Sequence, residues 1–581
     1  MKRAVFFLIA ASAFAAEPEF PLTADSKPQE GVPKGTMIKG THTASEGSVF
    51  PGTVRDYQIY LPAGFDKAKP APFMVFQDGV IYQAPVVFDN LIAKKDIPPL
   101  VGIFIKPGVV PAANDNALPR FNRSYEYDSV TPTYSQFLID EFLPAIEAKH
   151  GLKLSTDPNH AAIAGNSSGG ICAFMAAWHR PDRFRRVFTG VGTYVGIRGA
   201  DRLPVLVRKI EPKPLRVFLQ SGTGDNDLYC GDWWMANQMM QRSLAWAGYD
   251  VNHAWGEGGH NQKHASQVFP DAMRWLWRGW QTDMEVKANP KGESKWKGYE
   301  VVGDGEWGNV KSKQDELYFA IASNIKGDVA VGGSSGEIEI LASEGGQRSL
   351  HTIQGSVRSM VYARGDSLIV HSRSGVLETD SEVYLCTAEG KTRKLSFPLH
   401  YGETVTADFD GRVFFGAGVG LNHPVIGTVK QIGDLTFYEL NLPRIMCLSP
   451  DQTHIYGLDG RHVTVRTHGD FAQIKGFQEF YLLEESDPYI YPRGPSLGRM
   501  CVDTNGWLYV ATSLGIQVCD QAGRVNFILP TPKPAFDVCF GGKDLSELFI
   551  ACGDTIYKRP TKAKGVVSGQ QAPIKPAPPK L

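Results

Sequence analysis

The chain has 581 residues, a formal net charge of −1, 43% hydrophobic residues and 21% charged ones. That length accommodates two or three domains with full-sized cores. A near-neutral balance without any long basic run gives nucleic-acid binding no electrostatic footing.

The N-terminus reads MKRAVFFLIAASAFAAEPEF. Lys2 and Arg3 precede the apolar run Ala4–Ala11, and small residues follow, with Ala13-Phe14-Ala15 as the cleavage site. This is the pattern of a secretory signal peptide over residues 1–16. The run falls well short of the ~20 residues that span a bilayer, and no later segment is long and apolar enough to span. The mature protein is therefore expected to be soluble and exported, either secreted or periplasmic, with no membrane partner after cleavage. Export permits disulfides. Yet most of the eight cysteines (172, 230, 386, 447, 501, 519, 539 and 552) lie in apolar runs such as MCVD, IQVCD and DVCFGG. None has CxxC or Cys/His metal spacing, so few or no bridges are expected.

Residues 17–50 are polar and rich in Pro and Gly, an extended lead-in. From Arg55 strand-like and helix-like runs alternate: DYQIYLP, FMVFQDG and LVGIFIKPG as strands, YSQFLIDEFLPAIEAKHG as a helix, HAAIAGNSSGG as a strand and turn, ICAFMAAWHR as a helix. LRVFLQSGTGD, WMANQMMQRSLAWAGY, VNHAWGEGGH and DAMRWLWRGW continue as strand, helix, strand, helix. Such alternation predicts a mostly parallel sheet covered by helices over 51–285. The charged stretch 286–300 reads as a linker. After it helical periodicity nearly vanishes. SNIKGDVAVGG, YARGDSLIVHS, ADFDGRVFFGA, SPDQTHIYGLD, VDTNGWLYVAT and GGKDLSELFIA form six turn-then-strand units. Their spacing is that of propeller blades, which predicts an all-β six-bladed propeller over 301–561. Residues 562–581, rich in Pro and Lys, read as a disordered tail.

GNSSG fits Gly-x-Ser-x-Gly, with Ser167 at its centre between an apolar strand and an apolar helix. A nucleophile on such a turn needs small flanking residues, here Gly165 and Gly169, and gains from the helix N-terminus. Ser168 follows it, and its backbone N–H is the expected oxyanion donor. A serine needs a base and the base an acid, in the chain order Ser, acid, His. LQSGTGDND offers Asp225 and Asp227, and WGEGGHNQKH offers His260 and His264. His260 follows two glycines and is the better placed base; Asp225 is preferred as acid, with Asp227 as the alternative. A second oxyanion donor is expected from the turn at Gly79 and Val80 in FMVFQDGVIY. Arg123 and Glu126 in RSYEYD, next to Tyr127, and the aromatic residues Trp233, Trp234 and Trp255 are candidate substrate-binding residues, the latter as a platform for a sugar or phenolic ring.

The run from about Pro51 to Trp280 resembles the esterase-D/enterochelin-esterase-like branch of the α/β-hydrolases, which includes feruloyl and acetyl esterases acting on plant polysaccharides. The matching stretches are PGTVRDYQIYLP, VFQDG, RSYEYDS, GNSSGG, HRPDRF, GDWWMANQMM and WGEGGHNQKH. The resemblance implies a Ser167–Asp225–His260 triad, and ungapped spacing to GDWW favours Asp225. It implies a serine carboxylic-ester hydrolase without a cofactor, acting on a small-molecule or polysaccharide ester, with feruloyl or acetyl carbohydrate esters as the substrate class.

From about Val301 to Thr561 the chain resembles the gluconolactonase/regucalcin-like propellers, best in MCVDTNGWLYVATSLGIQVCDQAGRVNFILP and FGGKDLSELFIACGDTIYKR. That family's lactonases hold a divalent cation at the propeller axis. Here Gly498-Arg499-Met500 stands where Asp-Gly-Met is expected, Pro443-Arg444-Ile445 where Pro-Asn-Gly is expected, and FAIASNIKGD lacks the early Glu-Gly-Pro. A cation beside an arginine is repelled, so no metal is expected, and the propeller is expected to be a scaffold or binding module. Metal-dependent sugar-lactone hydrolysis and non-catalytic carbohydrate binding are the alternatives to the esterase reading.

Overall fold

The computed structural model describes residues 19–375, 381–395, 404–416, 430–440, 445–467, 478–485 and 498–579. The expected signal peptide at 1–16 and the departure at Arg444 lie outside the described residues. The chain divides into two units, one of residues 1–208 and 212–295, the other of 209–211 and 296–581.

In the first unit, dense apolar runs form the middle of a ten-stranded sheet. Its strands are β1 (Thr36–Thr43), β2 (Val54–Leu61), β3 (Phe73–Gln77), β4 (Val101–Ile105), β5 (Val109–Val110), β6 (Arg120–Phe121), β7 (Ala161–Asn166), β8 (Arg186–Gly190) and β9 (Arg216–Gly224). The short hairpin of β10 (Asp227–Leu228) and β11 (Gly231–Asp232) is separate, and β12 (Asp250–Gly259) is the last strand of the sheet. The order is β12-β9-β8-β7-β3-β4-β2-β5-β6, with β1 beside β2. From β12 to β4 every pairing is parallel. The edge beyond β4 is antiparallel. Parallel strands buried on both faces need continuous apolar sequence, and β3, β4, β7 and β8 are buried at every residue.

Helices supply the cover. Alternate residues Met74, Phe76, Phe104, Ala162, Ala164, Phe188 and Phe218 pack with Val87, Phe88 and Leu91 of α1 (Ala84–Ala93). Phe269, Met273 and Leu276 from the last long helix, Lys263–Trp277, join the same cluster. The lead-in does not trail free: Asp25 pairs with Lys94 and Arg274, the Asn90 side chain donates to the Asp25 and Lys27 carbonyls, and Phe20 stacks on His264.

Among its described residues the second unit forms six four-stranded sheets. Their innermost strands are Tyr318–Ser323, Ser356–Ala363, Val405–Ala407, Ile445–Leu448, Met500–Val502 and Asp537–Gly541, in blades 1 to 6. Each contacts the next, and that of blade 6 contacts that of blade 1, which closes the ring. Closure is also staggered along the chain. Gly308–Ser312, the first strand of the unit, pairs with Thr555–Pro560 and completes blade 6. The turns between strands are built by short polar side chains that bind the backbone ahead of them. Asp503 accepts from the Asn505 and Trp507 N–H groups, Asp408 from Arg412, and Asn324 from Lys326 and Asp328. Blade 3 departs from the rule of antiparallel neighbours: Arg412–Gly416 pairs in parallel with Leu435–Leu440.

Two sequence expectations are revised here. The stretch 286–300 is no plain linker, because the indole of Trp296 is 1% exposed within the core of the second unit. The tail is not loose over 562–579. It runs across the turns that follow the innermost strands and bonds to all six blades. Gln570 accepts from Ile325 N–H and donates to Asp366, while Ser568 donates to the Ala407 carbonyl. Gln452 donates to the Ser568 and Gln571 carbonyls. Thr504 N–H donates to Lys564 O, and Gly565 N–H to Leu545 O. Proline and lysine suggest disorder by composition, but Gln and Ser in this segment find backbone partners that composition does not reveal.

At a net contribution of roughly 1 kcal/mol per hydrogen bond, this strap matters to the propeller. Truncation after Thr561 is expected to lower the Tm of the second unit by on the order of 10 °C, read by calorimetry. An unchanged transition would show that the strap carries no stability.

Candidate active site

β7 ends at Asn166 and the helix Ser168–His179 (α2) begins at once, so Ser167 sits between them at φ 58°, ψ −124°. That left-handed strain is tolerable only where the surroundings enforce it. The enforcement is steric: a Cβ on Gly165 would stand 2.0 Å from the Gly169 carbonyl oxygen. Strand and helix therefore cross at contact distance, and the serine side chain is pushed out of the turn.

β9 and β12 run in parallel register, with Gly224 opposite Gly259. One residue beyond that pair come Asp225 and His260. His260 Nε2 lies 2.8 Å from Ser167 Oγ, and His260 Nδ1 lies 2.6 Å from Asp225 Oδ1. The Asp225 side chain is fully buried and also accepts from Ser221 Oγ at 2.7 Å and from the Asn226 N–H at 2.9 Å. Asp227 is exposed in the β10–β11 hairpin, and His264 is buried, with Nδ1 on the Gln220 amide. Burial holds the His264 pKa below the ordinary imidazole value. Of the four candidates, the structure thus brings Asp225 and His260 to the serine. A catalytic group must be within hydrogen-bond reach before its acidity matters, and this pair is.

Trp233 is buried and packs its ring edge-to-face on His260 at 5.6 Å. Its indole N–H donates to Thr193 Oγ1 at 3.2 Å, and that hydroxyl lies 3.4 Å from Ser167 Oγ. Trp233 therefore buttresses the imidazole. Trp234 and Trp255 are half-buried and meet each other edge-to-face at 5.3 Å. Thr193 and Ser221 carry no sequence signal. Each is an isolated hydroxyl with no spacing signal, found only through its partner.

The oxyanion side is more sharply defined than the sequence allowed. Ser168 is the first helical residue, and the first N–H groups of a helix have no carbonyl behind them to bond. Gly79 differs: its N–H donates to the Ile105 carbonyl at 3.1 Å, so it is committed to the sheet and not to a ligand. Val80 follows it, 41% exposed. Asp78, at φ 67°, is held by a two-pronged contact from Arg123, whose Nε and Nη2 donate to its carboxylate at 2.7 and 2.8 Å. Arg123 thus fixes the turn instead of standing free for substrate. Glu126 is likewise no pocket residue. It is 2% exposed, accepts two bonds from Arg55 at 2.8 and 3.1 Å, and accepts one from the Gly108 N–H. Nearby Asp128 is buried, and burial raises its carboxyl pKa, opposed by bonds from Ser124 and Ser168.

In the second unit Arg499 and Asp537 meet at the axis, 3.4 Å apart. Among the described residues no group of three or more His, Cys, Asp or Glu is placed to hold a metal ion.

Comparison with known proteins places residues 48–276 in a match to the esterase family model described as "Putative esterase". An iron(III) enterobactin esterase of Dickeya dadantii (strain 3937) is 30% identical over 155 residues, which is 24% of this chain and 34% of that protein. The chain thus spans about a third of the length of that curated relative. Among solved structures, an enterobactin esterase from Shigella flexneri is 18% identical, covering 45% of this chain and 64% of its own, with a TM-score of 0.35. A gluconolactonase from Xanthomonas campestris is 16% identical, covering 45% and 91%, with a TM-score of 0.37.

Two stability predictions follow from the buried charges. Glu126→Gln leaves the Arg55 guanidinium without its counter-charge, and a loss of about 3–5 kcal/mol is expected in denaturant unfolding of the first unit; a change under 1 kcal/mol would mean the pair is not the anchor described. For Asp128, a folded pKa above the unfolded one means a contribution present below the unfolded value and lost as pH rises through the folded one. Asp128→Asn should therefore flatten the decline in stability with rising pH, and an unaltered pH profile would refute that assignment.

Proposed function

We propose that the first unit, with 51–285 as its catalytic domain, hydrolyses carboxylic esters through an acyl-enzyme on Ser167. The observation that carries this reading is the unbroken chain Ser167 Oγ–His260 Nε2 and His260 Nδ1–Asp225 Oδ1, at 2.8 and 2.6 Å. The family match over residues 48–276 supports the same reaction class.

The mechanism follows from these positions. His260 Nε2 takes the Ser167 proton as Oγ attacks the ester carbonyl. Asp225 holds the ring by Nδ1–H and stabilises the imidazolium. The carbonyl oxygen, now negative, is held by the Ser168 N–H, with Val80 supplying the second donor in place of the committed Gly79; each donor is worth ~10²–10³ in rate. His260 then protonates the leaving alcohol, and water, activated by the same imidazole, frees the acid and restores Ser167. Arg123 acts through Asp78, keeping the turn that carries Val80 in place.

The substrate class we assign is an ester-decorated carbohydrate, feruloyl or acetyl. Its support is exposed aromatic and apolar surface: Leu228 and Tyr229, 52% and 95% exposed, follow Asp225 in the chain, and Phe121 and Tyr125, 72% and 53% exposed, flank Arg123, which holds the turn at Asp78. Such surface suits a phenolic or sugar ring. Export through the leader at 1–16 belongs to the same proposal. Among the described residues no helix is long and apolar enough to cross a membrane. The propeller, 301–561, is assigned a scaffold or binding role.

The test is hydrolysis of p-nitrophenyl acetate and methyl ferulate in EDTA. Ser167→Ala and Asp225→Asn are expected to lose ~10³-fold or more in kcat, and Asp227→Asn no more than about twofold. Equal activity of Ser167→Ala and the parent would falsify the reading. Activity that disappears in EDTA and returns with metal would transfer it to lactone chemistry in the propeller.

A further inference from the structure

The antiparallel edge of the first unit's sheet carries an open groove of about 460 Å³ across β1, β2 and β4. That volume lies inside the roughly 300–1,000 Å³ of ligand clefts. Side chains on one face of a strand recur every second residue, and register sets them here in rows. Lys39 of β1 stands opposite Gln58 of β2, and Thr41 opposite Asp56. Lys106, directly after β4, donates its N–H to the Asp56 carbonyl at 2.9 Å. All five residues line the groove. Lys106 marks the end of the sheet at which β4 finishes. β3 is parallel to both β4 and β7, so this is also the end at which β7 delivers Ser167.

Groove and nucleophile helix share one turn. Gly79 lines the groove, and a Cβ on it would meet Lys106 Cγ and Cε at 3.7 and 3.8 Å, so the lysine stem lies along the turn. The same turn packs on α2: a Cβ on Gly169 would stand 3.0 Å from Asp78 Oδ2 and from Gln77 Cβ. The segment Asp78-Gly79-Val80 therefore touches the groove and the helix that follows Ser167.

The groove is rich in unused donors. Thr41 Oγ1 donates to Asp56 Oδ1 at 3.0 Å. Neither Lys39 nor Lys106 is within ion-pair distance of a carboxylate among the described residues, and the Gln58 amide has no side-chain bond there. The lining thus presents two ammonium groups and an amide beside a single carboxylate, a net positive charge. An ammonium is a compact charge with three donors and no acceptor, so it favours anionic oxygen. By strand geometry the two lysine Cα atoms lie roughly 12 Å apart. That spacing suits charges on separate units of a chain better than one small anion. Asp56, Thr41 and Gln58, between the lysines, can exchange hydrogen bonds with neutral hydroxyl groups.

We propose that this groove holds uronate residues of the carbohydrate whose ester Ser167 attacks, with Lys39 and Lys106 as the groups that bind the sugar carboxylates. The inference rests on the ester reading above and narrows its substrate to an acidic, carboxylate-bearing sugar chain.

The experiment titrates trigalacturonate into the full-length Ser167→Ala protein at low ionic strength, by calorimetry. Binding is read without turnover, so a failure here is distinct from a failure of the ester chemistry. The parent is expected to bind trigalacturonate, to bind more weakly as salt is added, and to give no heat with the neutral cellotriose. Lys39→Ala/Lys106→Ala, in the same background, should weaken binding about tenfold or more. Lys39→Arg/Lys106→Arg should retain it. Lys153→Ala, an exposed lysine elsewhere in the unit, should bind as the parent does. Circular dichroism verifies that each variant is folded. The proposal is overturned by no binding to the folded parent, by unchanged binding in the folded alanine pair, or by loss on Lys153→Ala. Equal affinity for cellotriose, or displacement of the trigalacturonate by equimolar inorganic phosphate, overturns it as well. The first would make charge irrelevant, and the second would make the groove a site for any small anion.

Discussion

The contact between Gly165 and the Gly169 carbonyl is the constraint from which the first unit's site is built. With no room for a Cβ there, β7 and α2 close on each other and Ser167 has only a left-handed conformation left. The cost of that conformation, of order 1–3 kcal/mol, is carried by a sheet whose central strands are buried on both faces. The same sheet sets the other two groups. Because β9 and β12 are parallel and paired to their last glycines, the residues just beyond them leave at one level. Acid and base therefore arrive together without a dedicated loop to align them.

Around this frame, hydrogen bonds are spent on fixing groups in place. Ser221 and the Asn226 N–H hold Asp225; the indole N–H of Trp233 engages Thr193 while its ring supports His260; Arg123 holds Asp78. Each of these side chains is thereby limited to one orientation, the condition a site must meet if its groups are to stay aligned without reorganising.

Much of this was legible in the sequence because the signals are local. Gly-x-Ser-x-Gly between an apolar strand and an apolar helix, and polar residues at the ends of two later strands, are readable within a dozen residues each. What could not be read depends on distant partners. Glu126 looks like a pocket carboxylate until Arg55, 71 positions earlier, is found beside it. Gly79 looks like an oxyanion donor until the register of β3 on β4 brings Ile105 O to its N–H. Thr193 and Ser221 carry no pattern at all. In the second unit the turn residues revealed six blades, but neither the parallel pair in blade 3 nor the strap has a local signature.

The pairing of Gly308–Ser312 with Thr555–Pro560, and the strap beyond it, bear on the order of folding. The first unit has all its strands and helices once residue 295 has been synthesised. Blade 6 has three strands near one end of its segment and the fourth about 240 residues earlier, and closure entropy must be met before that contact returns anything. Until residues 555–577 are made, the opening strand has no partner and the turns of all six blades lack their crosspiece. The ring is consequently a late, all-together event following an early, self-sufficient one, and a nascent chain halted in between would present a finished sheet-and-helix unit followed by unclosed blades with open edges.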